Sequence, residues 1–405
     1  MKKIAGFILV AVSLILVSCQ DKTQTNSDHQ TYLVVLSLDG FRWDYPDHMN
    51  TQVLDSLKRV GVKAESLQPS FPTKTFPNHY TIATGLYPDH HGIVLNSFYA
   101  EDLGKRYSIR DREAIANGAF YGGEPIWVTA ENQSVKTASL FWVGASAKIN
   151  GVQPSYWSFY DEELPFASRI DSIYNWLSLP VEQRPQLIMW YYHEPDYTGH
   201  DDGPYGDSTK AVVEKLDTYL GDFFTRMRTL PIFDRLNFII TSDHGMAETS
   251  AERVVLLDQY IDTADIDFFD GMDPVLNIKV KPGKLEKVYR QLINIPHIYA
   301  WKHDSLPERL HYGTNIRTQD ICVVAYPGWA ISTSWRKGYY GGSHGYDNAF
   351  TDMHAIFYAA GPAFKKEYLQ PTFENVNIYP LMAEILGLNP ADMDGKLKNV
   401  AGMLR

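Results

Sequence analysis

An α/β sandwich, with a mostly parallel central sheet flanked by helices, is the architecture expected of this 405-residue chain. Four nearly continuous apolar runs, at 32–38, 187–192, 238–241 and 355–359, read as strands covered on both faces rather than half-wet alternating ones. Amphipathic helical stretches lie between them. Acids or histidines sit beside all four, and open α/β sheets place their ligands at the carboxyl ends of parallel strands.

In chain order, Lys2 and Lys3 precede an apolar run, Ile4 to Val17, too short to span a bilayer comfortably. Residues 1–18 are therefore expected to be an export signal. Leu16-Val17-Ser18-Cys19 resembles a bacterial lipobox, which makes Cys19 the expected lipid-modified first residue of the mature chain. Residues 19–30 are polar and aperiodic, as a flexible tether would be. Gln20 rather than Asp after Cys19 follows the sorting pattern of outer-membrane lipoproteins. The expected place of work is the periplasmic face or the surface of the outer membrane, with the membrane touched through the lipid alone.

One domain is expected over 31–405. Its first strand stops at Asp39-Gly40. Pro77 suits the first turn of a helix and Gly85 its exit, which puts Thr75 just before a helix N-terminus. Residues 98–184, rich in aromatics and turns, are expected to form a cap insertion. The strand at 187–192 is followed by Asp196 and His200 in a Gly-containing loop, then by a helix over 208–228 carrying Val212, Leu216, Leu220, Phe223 and Met227 on one face. The strand at 238–241 ends in Ser242-Asp243-His244-Gly245. A second insertion, 273–334, reads as a small αβ unit with strands at 275–280, 298–301 and 321–325 and a helix at 285–292. The last strand follows His344, and a short helix covers 379–386.

The net charge of −11, without a basic stripe, argues against a nucleic-acid scaffold, because phosphate contacts dominate such binding. The cysteines, Cys19 and Cys322, are too few for a disulfide framework or a thiolate zinc site, so a metal centre must be built from Asp and His.

The densest chemical signal is Pro72-Thr73-Lys74-Thr75-Phe76-Pro77-Asn78-His79-Tyr80. Backbone N–H groups and the macrodipole at a helix N-terminus favour an incoming phosphate. A hydroxyl placed there is a weak nucleophile unless a base or metal lowers its pKa. Read alone, Thr75 is equally an ordinary N-capping threonine.

Five segments together resemble the nucleotide pyrophosphatase/phosphodiesterase (type I phosphodiesterase) family of the alkaline phosphatase superfamily, in a bacterial form. They are LSLDGFRWDY (36–45), PTKTFPNHYTIATGLYPDHHGIVLNSFY (72–99), YYHEPDYTGHDDGP (191–204), TSDHGM (241–246) and GGSHGYDN (341–348). The resemblance implies an alkaline-phosphatase-like sandwich and two zinc ions. One zinc would be held by Asp39, Asp243, His244 and the Thr75 oxygen, the other by Asp196, His200 and His344. It also implies a Thr75 nucleophile, a phospho-threonine intermediate and hydrolysis assisted by the second zinc, with net retention at phosphorus. Asn96 and the Phe76 backbone N–H would donate to phosphate oxygens, and Phe76, Tyr160 and Tyr191 would stack the base. His79 is expected to support the Thr75 helix.

The favoured substrate is a nucleotide diester or pyrophosphate, cleaved to a nucleoside 5′-monophosphate. A phospholipid or choline phosphodiester in the same site is the alternative for a membrane-tethered enzyme. A sulfatase is excluded by Thr75 at the nucleophile position. A non-catalytic zinc- or nucleotide-binding lipoprotein would leave Thr75 without a purpose.

Overall fold

The computed structural model describes residues 30–334 and 341–405. The signal, Cys19 and nearly all of the tether lie outside the described residues. Residues 31–405 fold as one compact unit around an eight-stranded sheet.

In chain order the sheet strands are β1 (Tyr32–Leu38), β2 (Val62–Ala64), β3 (Thr137–Leu140), β4 (Tyr156–Ser158), β5 (Leu187–Tyr192) and β6 (Leu236–Thr241). The inserted unit then supplies β7 (Ile266–Met272), β8 (Val275–Val280), β9 (Ile298–Lys302) and β10 (Ile321–Ala325), before β11 (Phe357–Ala360) and β12 (Tyr368–Gln370) complete the main sheet. The spatial order of the main sheet is β12-β2-β11-β6-β1-β5-β3-β4. The central strand β1 runs parallel to both β5 and β6, with Leu36 opposite Trp190 on one side and Ile240 on the other.

Apart from Ser37, β1 is apolar because both faces of the sheet are covered. Leu33 and Val35 belong to one buried cluster, while Val34, Leu36 and Leu38 belong to another on the opposite face. The second cluster is closed by helices α3 (Phe166–Leu177) and α5 (Asp207–Met227), which bury Ile170, Ile173, Leu216, Leu220 and Phe223. Fully buried Leu36 sets a test of this packing. Leu36→Ala is expected to lower the free energy of unfolding by about 2–5 kcal/mol in urea titrations. The exposed Val60→Ala should change it by less than about 0.5 kcal/mol.

Two expectations need correction. β11, read as one more parallel strand, runs antiparallel to β6, with Phe357 opposite Thr241. The chain re-enters the sheet from the His344 loop, at the end where the parallel strands finish, so it must run back. The stretch 98–184 is not a cap throughout. β3 runs parallel to β5 and β4 parallel to β3, and α3 packs on the sheet's core. Outside the sheet, the early part of that stretch forms a hairpin, Ser97–Ala100 with Lys105–Ser108.

In the second inserted segment, β7 to β10 make an antiparallel sheet in the order β7-β8-β10-β9. Val288 and Leu292 of the helix Leu285–Leu292 share its buried cluster. Cys322, in β10, is a buried free thiol whose pKa burial pushes up.

Candidate active site

Asp39 follows β1, Asp196 follows β5 and Asp243 and His244 follow β6, so the parallel strands deliver these side chains to one end of the sheet. Gly40 lets two of them meet. Its φ of +66° is left-handed, and a Cβ there would lie 2.9 Å from the Asp196 Cα. The Asp196 N–H donates to the Asp39 carbonyl (3.1 Å), and the Gly40 N–H donates to Asp243 Oδ1 (3.2 Å).

Thr75 is the first residue of a ten-residue helix, α2 (Thr75–Thr84), that Lys74 caps and left-handed Gly85 ends. It therefore stands inside the helix start rather than just before it. Its N–H is one of the orphan donors of that first turn and makes no hydrogen bond among the described residues. Asp196 and His200, expected in a loop, sit one turn apart in a short helix, α4 (Asp196–Asp202). Spacing i, i+4 brings both onto one face.

Two groups of three side chains result. Ligand atoms of Asp39, Asp243 and His244 lie within 4.8 Å of one another, and those of Asp196, His200 and His344 do the same. In the first group His244 Nε2 is 3.1 Å from Asp243 Oδ2 and 3.4 Å from Asp39 Oδ1. Thr75 Oγ1 is 3.3 Å from that same Nε2. In the second, Asp196 Oδ2 is 3.5 Å from His200 Nε2 and its Oδ1 is 3.6 Å from His344 Nε2. The His244 and His344 rings stack with centroids 3.6 Å apart, so the groups adjoin.

The other ring nitrogen of each histidine faces a backbone carbonyl. His200 Nδ1 pairs with Gly342 O (2.8 Å), His244 Nδ1 with Gly245 O (2.9 Å) and His344 Nδ1 with Thr73 O (2.8 Å). A carbonyl only accepts, so Nδ1 carries the proton and, in the neutral ring, Nε2 turns a lone pair towards the acids. Burial, then His244, Lys74 and His200, hold His344 well below the usual imidazole range, which keeps it neutral. One oxygen on each acid, Asp39 Oδ1, Asp196 Oδ1 and Asp243 Oδ2, is buried without a hydrogen-bond donor. Imidazole nitrogens and carboxylate oxygens gathered this closely are a donor set for divalent cations, and nitrogen with carboxylate oxygen suits zinc. Burial opposes charge on His244 but Asp243 outweighs it and raises its pKa, so a cation there would compete with a proton for Nε2. The residues fit two such ions.

Around this centre, Asn96 and Phe76 meet, but not as expected. The Phe76 N–H donates to Asn96 Oδ1 (3.0 Å), so it is already committed. Asn96 Nδ2, on the same amide, and the Thr75 N–H are donors without a hydrogen bond among the described residues. His79 does more than support its helix: Nδ1 sits 2.9 Å from Thr75 O and 3.3 Å from Asp243 Oδ2, and Nε2 is 2.8 Å from Ser37 Oγ. Of the three expected base-stacking rings, Tyr160 and Tyr191 are neighbours, with centroids 5.9 Å apart, whereas the Phe76 ring packs edge-on to Tyr107. The Tyr191 hydroxyl donates to Asp39 Oδ2 at 2.6 Å, a contact that residue spacing gave no sign of. A groove of about 1010 Å³, lined by Trp43, Lys63, Ser66 and His354 among others, lies elsewhere and contains none of these groups. The chemistry, not the cavity size, marks the site.

Comparison with known proteins agrees with this geometry. The type I phosphodiesterase/nucleotide pyrophosphatase family profile matches residues 33–347. The human ectonucleotide pyrophosphatase/phosphodiesterase family member 5 is 35% identical over 400 residues, covering 98% of this chain and 83% of that protein. A venom phosphodiesterase from Crotalus durissus collilineatus is 37% identical over 377 residues, and the chain spans 45% of that protein's length. The solved structure of murine family member 5, as an inactive variant in complex with AMP, superposes with a TM-score of 0.89 at 35% identity, covering 93% of this chain and all of that one. These neighbours establish the alkaline-phosphatase-like fold.

Proposed function

This chain belongs to the type I phosphodiesterase/nucleotide pyrophosphatase family, and from that premise we propose that it hydrolyses nucleotide phosphodiester or pyrophosphate bonds to nucleoside 5′-monophosphates, with Thr75 as nucleophile. The observation that carries the reading is the convergence of three carboxylate oxygens without a hydrogen-bond donor and three histidine Nε2 atoms in two adjoining groups, one of which meets Thr75 Oγ1. Asp39, Asp243, His244 and Thr75 would hold one zinc, and Asp196, His200 and His344 the other. Bound there, the ions would lower the pKa of the Thr75 hydroxyl and offset charge on the departing oxygen.

Thr75 Oγ1 loses its proton to solvent and attacks phosphorus, while the bond to the leaving oxygen breaks and that oxygen departs with the other part of the diester or pyrophosphate. The substrate's phosphoryl group is then esterified to Thr75. Asn96 Nδ2 and the Thr75 N–H, at the positive end of α2, donate to the non-bridging oxygens. Water entering from the vacated side displaces Thr75 Oγ1, which recovers a proton as the nucleoside 5′-monophosphate departs. Two in-line displacements give net retention.

The base is read by stacking. Tyr160, about one-third exposed and tilted against Tyr191, offers the accessible face. Tyr160→Ala is expected to raise KM for a nucleotide diester about 5- to 100-fold, from stacking worth about 1–3 kcal/mol, with kcat within about twofold. An unchanged KM in steady-state kinetics would place the base elsewhere.

Export as a lipoprotein belongs to the same proposal, supported by Lys2, Lys3, the apolar run and Cys19. The test of the whole reading is steady-state hydrolysis of thymidine 5′-monophosphate p-nitrophenyl ester beside p-nitrophenyl phosphate and p-nitrophenylphosphorylcholine. A large preference for the nucleotide ester supports the proposal. Preference for the choline ester would transfer the site to lipid-type diesters, and no turnover at all would favour a binding protein.

A further inference from the structure

The Tyr191 ring lies beside Tyr160, where a wall of the base pocket is expected, and its hydroxyl reaches the ligand cluster. It donates to Asp39 Oδ2 at 2.6 Å, a short bond from a half-buried tyrosine to a buried acid. The other Asp39 oxygen, Oδ1, has no donor and lies 3.4 Å from His244 Nε2. One oxygen of the carboxylate is thus held while the other is left turned into the ligand cluster.

Tyr191 is itself fixed from behind. Arg169 is fully buried and has no carboxylate partner among the described residues. Its guanidinium donates instead to the Tyr191 carbonyl (2.9 Å) and to the carbonyls of Leu164, Asp161 and Glu162. The Tyr191 ring also meets the His79 ring edge-on, with centroids 5.1 Å apart, and His79 reaches Asp243. Two neighbouring carboxylates of one cation position therefore depend on one packed tyrosine–histidine pair. Asp196, in the other position, receives no comparable hydroxyl or backbone donor among the described residues.

We infer that Tyr191 is a positioning residue for the cation held by Asp39, Asp243 and His244: its hydroxyl fixes the rotation of the Asp39 carboxylate and partly offsets its charge. The inference rests on the two-cation reading above. Groups that orient a metal's ligands in this way typically account for about 10- to 100-fold in metal affinity.

The experiment is a zinc titration of the metal-stripped protein in competition with a chromophoric chelator, for wild type and Tyr191→Phe. Phenylalanine keeps the ring and removes only the hydroxyl. Wild type should bind two zinc ions. Tyr191→Phe should weaken one of the two steps about 10- to 100-fold, leave the other unchanged and leave the melting temperature of the metal-free protein nearly unchanged. Turnover lost at limiting zinc should return in excess zinc. Two zinc steps unaltered by Tyr191→Phe would overturn the inference while leaving the two-cation reading intact. Fewer than two ions bound by wild type would overturn that reading itself. Equal weakening of both steps with a lowered melting temperature would assign the hydroxyl a purely structural role, and Tyr160→Phe, outside the Asp39 contact, serves as the control that should move neither step.

Discussion

Thr75→Ala is expected to lower kcat/KM on a nucleotide ester by on the order of 10⁴-fold or more, about 5.5 kcal/mol of transition-state stabilisation, in pre-steady-state and steady-state assays. The magnitude follows from the role. Every step passes through the Thr75 oxygen, and the nearest alternative nucleophile is water, with neither the covalent tether nor the placement at the start of α2. The fold should tolerate the change, because Thr75 Oγ1 makes one hydrogen bond among the described residues, to His244 at 3.3 Å. Thr75→Ser should keep more activity than Thr75→Ala. A residual rate within about tenfold of wild type would move the nucleophile elsewhere.

Removing the cations should have an effect of similar size. Dialysis against a strong chelator is expected to abolish turnover, and zinc to restore it. His344→Ala should leave a protein that excess zinc rescues poorly, because one of three side chains in its group is gone. Stability should move in the same direction. Asp39 is pushed well above the ordinary carboxylate range by burial first and then by Asp243 and Asp196, so its anionic form is disfavoured unless a cation offsets both. A ligand bound by the folded state alone relieves that and raises the melting temperature with its concentration. A melting temperature indifferent to zinc, alongside full activity in chelator, would sink the two-cation account.

Much of this was legible in the sequence, and for identifiable reasons. β1, β5 and β6 announce themselves because each is buried on both faces and therefore apolar at nearly every position. The six metal-ligand candidates are legible because each sits at a strand end or in a short motif with fixed neighbours. β3 and β4 were missed since Thr137-Ala138-Ser139-Leu140 and Tyr156-Trp157-Ser158 are too short and too polar to stand out from the surrounding turns. The direction of β11 is not written in Phe357–Ala360 at all; it depends on which end of the sheet the chain has reached. The Tyr191–Asp39 contact was hidden for a related reason. In Leu187-Ile188-Met189-Trp190-Tyr191-Tyr192 the tyrosine looks like strand core with an aromatic face, and only the fold, which sets Tyr191 opposite Ser37, brings Asp39 two residues further on within reach of its hydroxyl. The Phe76 N–H was expected to face phosphate, a role that depends on the rotamer of Asn96, twenty residues away.

The central claim is a covalent Thr75 intermediate, and the stereochemical course at phosphorus tests it most directly. A nucleotide diester made chiral by one sulfur at phosphorus would be hydrolysed in ¹⁸O-water and the configuration of the product thiophosphate determined. Two in-line displacements, through Thr75 and then water, require retention. Inversion would mean that water attacks the substrate in a single displacement, and Thr75 would lose its place as the nucleophile.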